Sequence, residues 1–170
     1  MAGLVNGKWV NGEVAAEEIE DGAFKRQETR FRSMDIVPEA GRYQLFVSYL
    51  CPWASRTLIF RRLKGLESIV PLSVAEPRIG DNGWEFAAPQ DAGERVGPVR
   101  FLHQLYTASE PHYTGKVSVP VLWDRRAGRI VNNESADIIR ILNHAFDGPT
   151  GNTSDFYPPS LRPEIDRWNE

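Results

Sequence analysis

The pattern of apolar and polar positions divides the chain at residue 43. Residues 1–42 mix Gly, Glu and Arg in irregular order, and this lack of periodicity predicts an irregular N-terminal arm. From Tyr43 the run YQLFVS is almost continuously apolar, which is typical of a strand buried on both faces. The pattern therefore predicts that the folded domain begins at Tyr43.

A run with helical spacing follows the dipeptide Cys51-Pro52. An apolar stripe at this spacing normally faces the core, while the charged side meets solvent. The apolar stripe consists of Trp53, Leu58, Ile59 and Leu63. The opposite side consists largely of Arg56, Arg61, Arg62 and Lys64. Gly65 marks the predicted end of the helix.

Several later segments carry strand or helix patterns. SIVPLSVAE, residues 68–76, suits a second strand, which Pro71 either restricts to a sheet edge or interrupts. VSVPVLWD and GRIVNN predict two strands joined by a turn at RRAG. ESADIIRILNHAF predicts an amphipathic helix with Ile138, Ile141 and Leu142 on its buried side.

The remaining segments show no such pattern. Residues 77–116 form a long irregular connection that is either disordered or functional, with a short helix predicted at LHQLYTAS. DGPTGNTSD predicts a loop. YPPSLRPEIDRWNE predicts the first turns of another helix, with Ser160 as its N-cap and Pro163 in the first turn.

This order of elements indicates a fold class. A β-α-β unit followed by a β-hairpin gives a small mixed sheet flanked by helices. We therefore predict an α/β fold of the thioredoxin type, with a long insertion, over residues 43–147. Residues 148–170 are predicted to form a linker and the start of a further helical part.

Composition and charge narrow the possible functions. Of 170 residues, 41% are hydrophobic and 25% are charged, as in ordinary soluble globular proteins. The formal net charge of −3 argues against general nucleic-acid binding. No apolar run approaches the roughly 18 residues of a membrane span, and the N-terminus lacks the pattern of a secretory signal. Since one cysteine cannot form an internal disulfide, we expect a reducing compartment, the cytoplasm.

That cysteine, Cys51, lies at the predicted turn from strand to helix, with Pro52 at a favoured first helical position. Unpaired backbone N–H groups and the positive end of the helix dipole favour a thiolate at such a site. Free cysteines are more often buried and inert. The Cys-Pro start at a strand-to-helix turn instead favours a reactive nucleophile, and Arg56 adds positive charge about one turn further on.

The residues after Cys51 indicate its reaction partner. The segment reads CPWA where dithiol oxidoreductases have CxxC, so Ala54 stands in place of a resolving thiol. Any disulfide at Cys51 must therefore be mixed and must be cleaved by an external thiol. The abundant cytosolic candidate is glutathione, used as a co-substrate.

Two further segments fit glutathione. A cis bond between Val119 and Pro120 would turn the Val119 backbone outward to pair with an extended peptide, although trans is the commoner state of a proline. Glu134 and Ser135 open a predicted helix, where a carboxylate and a free hydroxyl suit the charged groups of a γ-glutamyl end. Ordinary helix capping explains Glu134 and Ser135 about as well.

The motifs CPWA, GWEF, LHQLY, HYTGKVSVPVLWD, IVNNESADIIRILN and YPPSLRPEID together resemble those of the glutathionyl-hydroquinone reductases, or Xi-class glutathione transferases. The resemblance covers nearly the whole chain. It implies a thioredoxin-like N-terminal domain, an all-helical C-terminal domain and a homodimer. It also implies an enzyme that reduces S-glutathionyl-hydroquinones with glutathione, releasing hydroquinone and glutathione disulfide.

The same resemblance implies roles for individual residues. Cys51 resembles the family's catalytic nucleophile. Val119, which precedes Pro120, resembles the residue whose backbone pairs with glutathione. Glu134 and Ser135 resemble the residues that bind the γ-glutamyl end.

Other positions are ambiguous or depart from the family. Trp84 of GWEF resembles a tryptophan that contacts glutathione; a core tryptophan is the alternative, although a Gly-rich insertion fits a binding loop better. Ser55 stands where the family commonly has a His. Lys116 stands where an arginine is expected, so a bidentate fork becomes a point charge and weaker glutathione binding is expected. On this resemblance Glu170 lies just inside the first helix of the helical domain, which supplies the other wall of the electrophile pocket.

Three functions remain open on the sequence. The first is reduction of glutathionyl-hydroquinones through a mixed disulfide at Cys51. The second is a truncated module that binds glutathione without competent catalysis, and the third is a monothiol glutaredoxin-like deglutathionylase. The three histidines show no ligand spacing with Cys51, so we expect no metal site.

Overall fold

The computed structural model describes residues 2–11, 19–20, 23–24 and 28–169, so parts of the predicted arm lie outside the described residues. The strands of this described part are β1 Gly3–Val5, β2 Lys8–Val10, β3 Ile19–Glu20, β4 Ala23–Phe24, β5 Tyr43–Ser48, β6 Leu72–Ala75, β7 Ile79–Gly80, β8 Gly83–Asp91, β9 Pro98–Phe101, β10 Val121–Asp124 and β11 Arg129–Asn132. Its helices are α1 Pro52–Leu63, α2 His103–Ser109, α3 Ser135–His144, α4 Asp147–Thr150 and α5 Arg162–Asn169.

Four strands form the central sheet in the order β11-β10-β5-β6. β5 runs parallel to β6, with Leu45 opposite Leu72, and antiparallel to β10, with Leu45 opposite Leu122. α1 connects the two parallel strands, and β10 and β11 form an antiparallel hairpin. The predicted β-α-β unit and hairpin are therefore confirmed. β6 begins directly after Pro71 and lies at the sheet edge, as the proline predicts.

The core lies around β5, whose six residues are all buried. α1 and α3 pack against each other, and α2 packs against β11. α3 buries Ile138, Ile141 and Leu142, which confirms the amphipathic pattern predicted for this helix. The thioredoxin-like arrangement predicted from the order of elements is thus present.

The predicted orientation of α1 is wrong for most positions, although Leu58 packs against the core as predicted. Trp53, Ile59 and Leu63 are 53%, 55% and 48% exposed, whereas Ala54 and Thr57 are fully buried. Lys64, expected on the solvent side, has no exposed surface. Its Nζ donates to the Asn152 carbonyl oxygen at 2.8 Å and to the Ser154 carbonyl oxygen, and it pairs with the Asp147 carboxylate at 2.8 Å. Burial of the lysine is possible because the chain after α3 supplies these acceptors.

Residues 77–116, predicted to be irregular, form a small antiparallel sheet in the order β7-β8-β9, followed by α2. The helix confirms the prediction for LHQLYTAS. These strands are hard to recognise in the sequence, because burial along β8 shows no two-residue alternation and because β8 shifts register against β9 between Glu85 and Gln90. The Phe86 ring packs against Phe46 at 5.6 Å and so attaches this insertion to the central sheet.

Residues 31–33 of the arm run along the outer edge of β11, where Arg32 pairs with Asn132 in antiparallel fashion. The Ser33 N–H donates to the Val131 carbonyl oxygen at 3.1 Å. Arg32 forms an ion pair with Asp137 of α3 at 2.7 Å. The arm therefore covers sheet-edge groups that would otherwise be open to pairing with another chain.

The chain after α3 also departs from the prediction. α4 occupies the first part of the segment predicted to be a loop, and Gly151 ends the helix in a left-handed conformation, with φ of 68°. α5 confirms the predicted helix, with Pro163 in its first turn. Ser160 is not its N-cap, because the helix begins at Arg162 and the Ile165 N–H donates to the Leu161 carbonyl oxygen. In the part of the chain that the structure describes, every helix is too short or too polar to cross a membrane.

Lys64→Met tests the buried ammonium group. We expect the free energy of unfolding to fall by about 2 kcal/mol, because two backbone carbonyls and the Asp147 carboxylate lose their donor. Urea unfolding measures this change. Arg62→Met is the control, because the Arg62 side chain is 84% exposed on the same helix, and it should leave the midpoint unchanged. An unchanged midpoint for Lys64→Met would contradict the structural role of Lys64.

Candidate active site

Cys51 lies where the chain leaves β5 and enters α1. Its N–H donates to the Ser48 carbonyl oxygen at 3.1 Å, and its own carbonyl oxygen accepts from the Ser55 N–H at 3.1 Å. Cys51 is the N-cap of α1 with extended backbone, φ of −94° and ψ of 115°, and Pro52 is the first helical residue. The side chain is half-buried. The predicted strand-to-helix position is confirmed, and the sulfur is not sealed in the core.

The thiol of Cys51 faces the backbone of Val119. Its Sγ lies 3.5 Å from the Val119 carbonyl oxygen, to which the thiol donates. The Val119–Pro120 peptide bond is cis, the state that the sequence left open. Val119 and Pro120, which directly precede β10, are thus held beside the only cysteine of the chain.

A buried tyrosine, Tyr106, is hydrogen-bonded both to the segment before Val119 and to the segment before Glu134. The Tyr106 hydroxyl donates to the Ser118 carbonyl oxygen at 2.8 Å, and it accepts from the Ser118 N–H at 3.2 Å and from Asn133 Nδ2 at 3.0 Å. Ser118 precedes Val119, and Asn133 precedes Glu134. Burial raises the pKa of Tyr106, so the hydroxyl keeps its proton. The role of Tyr106 is not predictable from the sequence, because a tyrosine in LHQLY has the pattern of an ordinary core position.

The beginning of α3 carries the two other predicted polar residues. Glu134 is the N-cap; its Oε1 accepts from the Ala136 N–H at 3.2 Å and its Oε2 accepts from the Thr29 hydroxyl at 2.9 Å. The capping interpretation of Glu134 is therefore correct in this structure. Ser135 was expected to offer a free hydroxyl, and this is wrong: its Oγ accepts from Arg56 Nε at 3.0 Å and Nη2 at 2.7 Å.

Trp84 lies in a different setting from the one predicted. It is the second residue of β8, not a loop residue, because β8 pairs with β7 and β9. Its side chain is 8% exposed and belongs to the core cluster. The Glu76 N–H, just after β6, donates to the Glu85 carbonyl oxygen at 2.8 Å. Trp84 thus lies near the carboxyl edge of the central sheet, the edge that also bears Cys51, and its contact with glutathione remains a prediction.

Lys116 lies in the segment that leads to the cis bond. Its carbonyl oxygen accepts from the Tyr113 hydroxyl at 3.0 Å. Partial burial lowers the pKa of the Lys116 ammonium group, because desolvation disfavours the charged form. Its role in glutathione binding likewise remains a prediction.

A cavity of about 500 Å³ lies at the other end of the central sheet, where β5 begins and β10 ends. The cavity is lined by residues 39–42, 93–95 and 125–126. Three of its arginines are paired with nearby carboxylates: Arg42 with Asp124 at 2.8 Å, Arg126 with Glu39 at 3.3 Å, and Arg125 with Asp91. We attribute this cavity to a salt-bridge network that is separate from the chemistry at Cys51.

Possible metal ligands are dispersed. Among the described residues, no group of three or more His, Cys, Asp or Glu side chains is placed to hold a metal ion. His103 instead stacks with Trp9 at 5.0 Å and with Phe101 at 5.5 Å. Burial lowers the pKa of His103, which favours a neutral ring in this stack.

The chain is similar to known glutathione transferases and their relatives. The sequence profile of the family described as "Glutathione S-transferase, N-terminal domain" matches residues 50–145. Glutathionyl-hydroquinone reductase PcpF from Sphingobium chlorophenolicum is 42% identical over 173 residues, which cover 99% of this chain and 55% of that protein.

Two solved structures extend the similarity to the fold. The Xi-class glutathione transferase from Natrialba magadii has a TM-score of 0.82 and 41% identity, covering 98% of this chain and 54% of that chain. The glutathione-bound structure of YqjG, a glutathione transferase homolog from Escherichia coli K-12, has a TM-score of 0.70 and 47% identity, covering 78% of this chain and 44% of that chain. The chain therefore spans about half the length of these relatives.

Tyr106→Phe tests the tyrosine that joins the two segments of the site. We expect the free energy of unfolding to fall by about 1–3 kcal/mol, because Ser118 and Asn133 lose their partner inside the protein. Denaturant unfolding measures the change. Tyr113→Phe is the matched control, because the Tyr113 hydroxyl makes one such bond, to Lys116, and its loss should be smaller. Equal losses in the two variants would contradict the bridging role of Tyr106.

Proposed function

Because the chain belongs to the glutathione S-transferase N-terminal domain family, we propose that it binds glutathione and uses Cys51 to reduce S-glutathionyl-hydroquinones. The observation that carries the proposal is the Cys51 sulfur 3.5 Å from the Val119 carbonyl oxygen, beside a cis proline. This arrangement supports a site in which an extended tripeptide pairs with the Val119 backbone and presents its sulfur to Cys51.

In this proposal the two ends of glutathione occupy opposite parts of the site. The sulfur lies at Cys51, at the head of α1. The γ-glutamyl ammonium group pairs with the Glu134 carboxylate, and its carboxylate lies at the N-terminus of α3, where backbone N–H groups and the helix dipole favour an anion. The Ser135 hydroxyl donates a further hydrogen bond to that carboxylate.

The proposed reaction has two displacements at sulfur. The Cys51 thiolate attacks the glutathionyl sulfur of the substrate, so an S–S bond forms while the bond between sulfur and the ring carbon breaks. The ring carbon retains the electron pair, takes up a proton and leaves as part of the hydroquinone. A second glutathione thiolate then attacks the mixed disulfide at its glutathionyl sulfur, which restores the Cys51 thiolate and yields glutathione disulfide. In sum the ring carbon is reduced by two electrons, and two glutathione sulfurs are oxidised to a disulfide.

In these two displacement steps the main contribution of the protein is to position the reacting groups. It holds the nucleophile at the head of a helix and fixes the tripeptide so that its sulfur is within reach. The reaction depends on reduced glutathione, which fits the cytoplasm as its compartment. A homodimer, as in the resemblance drawn from the motifs, remains a prediction.

A second candidate is a module that binds glutathione but does not turn over. Leu50 and Trp53, next to Cys51, are 56% and 53% exposed, so the described residues leave one side of the cysteine open. Because closure of an active site normally excludes water from the reacting groups, this open side is a specific reason for weak catalysis. Glutathione binding by calorimetry without hydroquinone release would favour this candidate.

Cys51→Ser tests the nucleophile. We expect release of hydroquinone from a glutathionyl-hydroquinone to fall to the uncatalysed rate, because a serine hydroxyl is not ionised near neutral pH. Chromatographic measurement of hydroquinone gives the rate. Ser55→Ala, one turn later in α1, is the control and should retain turnover. Undiminished turnover by Cys51→Ser would exclude the mechanism.

Glu134→Gln tests the γ-glutamyl subsite. The amide keeps an acceptor for the Ala136 N–H but loses the charge that would pair with the glutathione ammonium group, so we expect Kd to rise about 10-fold. Isothermal titration calorimetry measures the affinity. Glu164→Gln removes a carboxylate from α5 and should leave Kd unchanged. If Glu134→Gln bound glutathione as tightly as the parent chain, the subsite assignment would be wrong.

A further inference from the structure

Arg56 connects the helix that follows Cys51 to the helix that begins at Ser135. Its guanidinium group donates twice to the Ser135 Oγ, at 3.0 and 2.7 Å, and its Nη2 lies 3.7 Å from Glu134 Oε1. It also lies over the Trp53 ring, 5.2 Å from the ring centre. The side chain is 26% exposed, and Ser135 is 3% exposed. These contacts hold both partners in one geometry, largely out of solvent.

This geometry determines what the Ser135 hydroxyl can do. A hydroxyl has one O–H donor and two acceptor lone pairs. Because two N–H groups of Arg56 occupy the lone pairs, the remaining capacity of the hydroxyl is to donate. In this structure its O–H can reach Glu134 Oε1 at 3.4 Å, which is long for a hydrogen bond between oxygens. A carboxylate at the N-terminus of α3 would be a better acceptor.

We infer that Arg56 is a positioning residue that makes Ser135 an obligate donor to the γ-glutamyl carboxylate of glutathione. The inference rests on the proposed function, because it assumes that glutathione occupies this subsite. It also gives Arg56 a second effect: the same contacts fix the distance between the head of α1, where the sulfur reacts, and the head of α3, where the γ-glutamyl end binds. Lysine replaces it only in part, since an ammonium group lacks the planar fork that fills both lone pairs.

The alternative is that Arg56 only braces α1 against α3. A brace would contribute to stability, and its loss would weaken glutathione binding whether or not Ser135 has a hydroxyl. If Arg56 acts through the Ser135 hydroxyl, substitution of Arg56 should no longer change the affinity for glutathione once that hydroxyl is removed. A double-mutant cycle separates these two cases, because residues that act through one interaction give non-additive effects.

The experiment measures Kd for glutathione by calorimetry on five chains: the parent, Arg56→Met, Ser135→Ala, the double variant and Arg56→Lys. We expect Arg56→Met and Ser135→Ala each to raise Kd about 10-fold, and the double variant to raise it no further. Arg56→Lys should raise Kd about 3-fold, since one donor replaces two. Arg62→Met, a charge loss on the same helix, is the control and should leave Kd unchanged.

The outcomes are distinguishable. If the parent chain does not bind glutathione, the proposed function fails and the inference fails with it. If the parent binds and Arg56→Met binds equally well, or if the single effects add in the double variant, the inference alone is overturned. If Arg56→Met does not fold, Arg56→Lys takes its place in the cycle. The inference then requires that its 3-fold effect vanish in the Ser135→Ala background, and persistence of the effect would overturn it.

Discussion

The contact between the Cys51 sulfur and the Val119 carbonyl oxygen, 3.5 Å apart, is the constraint on which the rest of the site depends. It places the only thiol of the chain beside backbone that can pair with an extended peptide. Each partner has a separate origin: Cys51 follows β5 and caps α1, whereas Val119 leads into β10. Because β5 and β10 are neighbours in the central sheet, the fold itself brings the two together.

The site is held by residues with no place in the proposed chemistry. The Tyr106 hydroxyl binds the segment before Val119 and the segment before Glu134. Arg56 joins the two helices whose N-termini face the proposed ligand. Both residues are polar groups within largely buried surroundings: the Tyr106 hydroxyl bonds to Ser118 and Asn133, and Arg56 donates twice to Ser135. The positions of the reactive groups therefore follow from a hydrogen-bonded scaffold, as preorganised sites require.

The sequence predicts those features of the structure that depend on residues close together in the chain. YQLFVS, the β10–β11 hairpin and α3 are predictable from apolar runs and turn residues, and Cys51 and Glu134 stand at element boundaries that the same patterns locate. Contacts between distant segments are not visible in this way. Arg56 and Ser135 lie 79 residues apart, and Lys64 lies 88 residues from the carbonyl that makes its burial possible. The orientation of α1 and the strand setting of Trp84 depend on such partners, so the local pattern gives the wrong result for both.

The central claim is that Cys51 itself takes the glutathionyl group from the substrate. A single-turnover experiment tests it most directly: the chain is mixed with one equivalent of glutathionyl-hydroquinone, without free glutathione, and is analysed by intact-mass spectrometry and chromatography. The account predicts one glutathionyl group on Cys51, an equal amount of released hydroquinone, and removal of the adduct when glutathione is added. Hydroquinone that forms only after glutathione is added, on a chain that never carries the adduct, would contradict it.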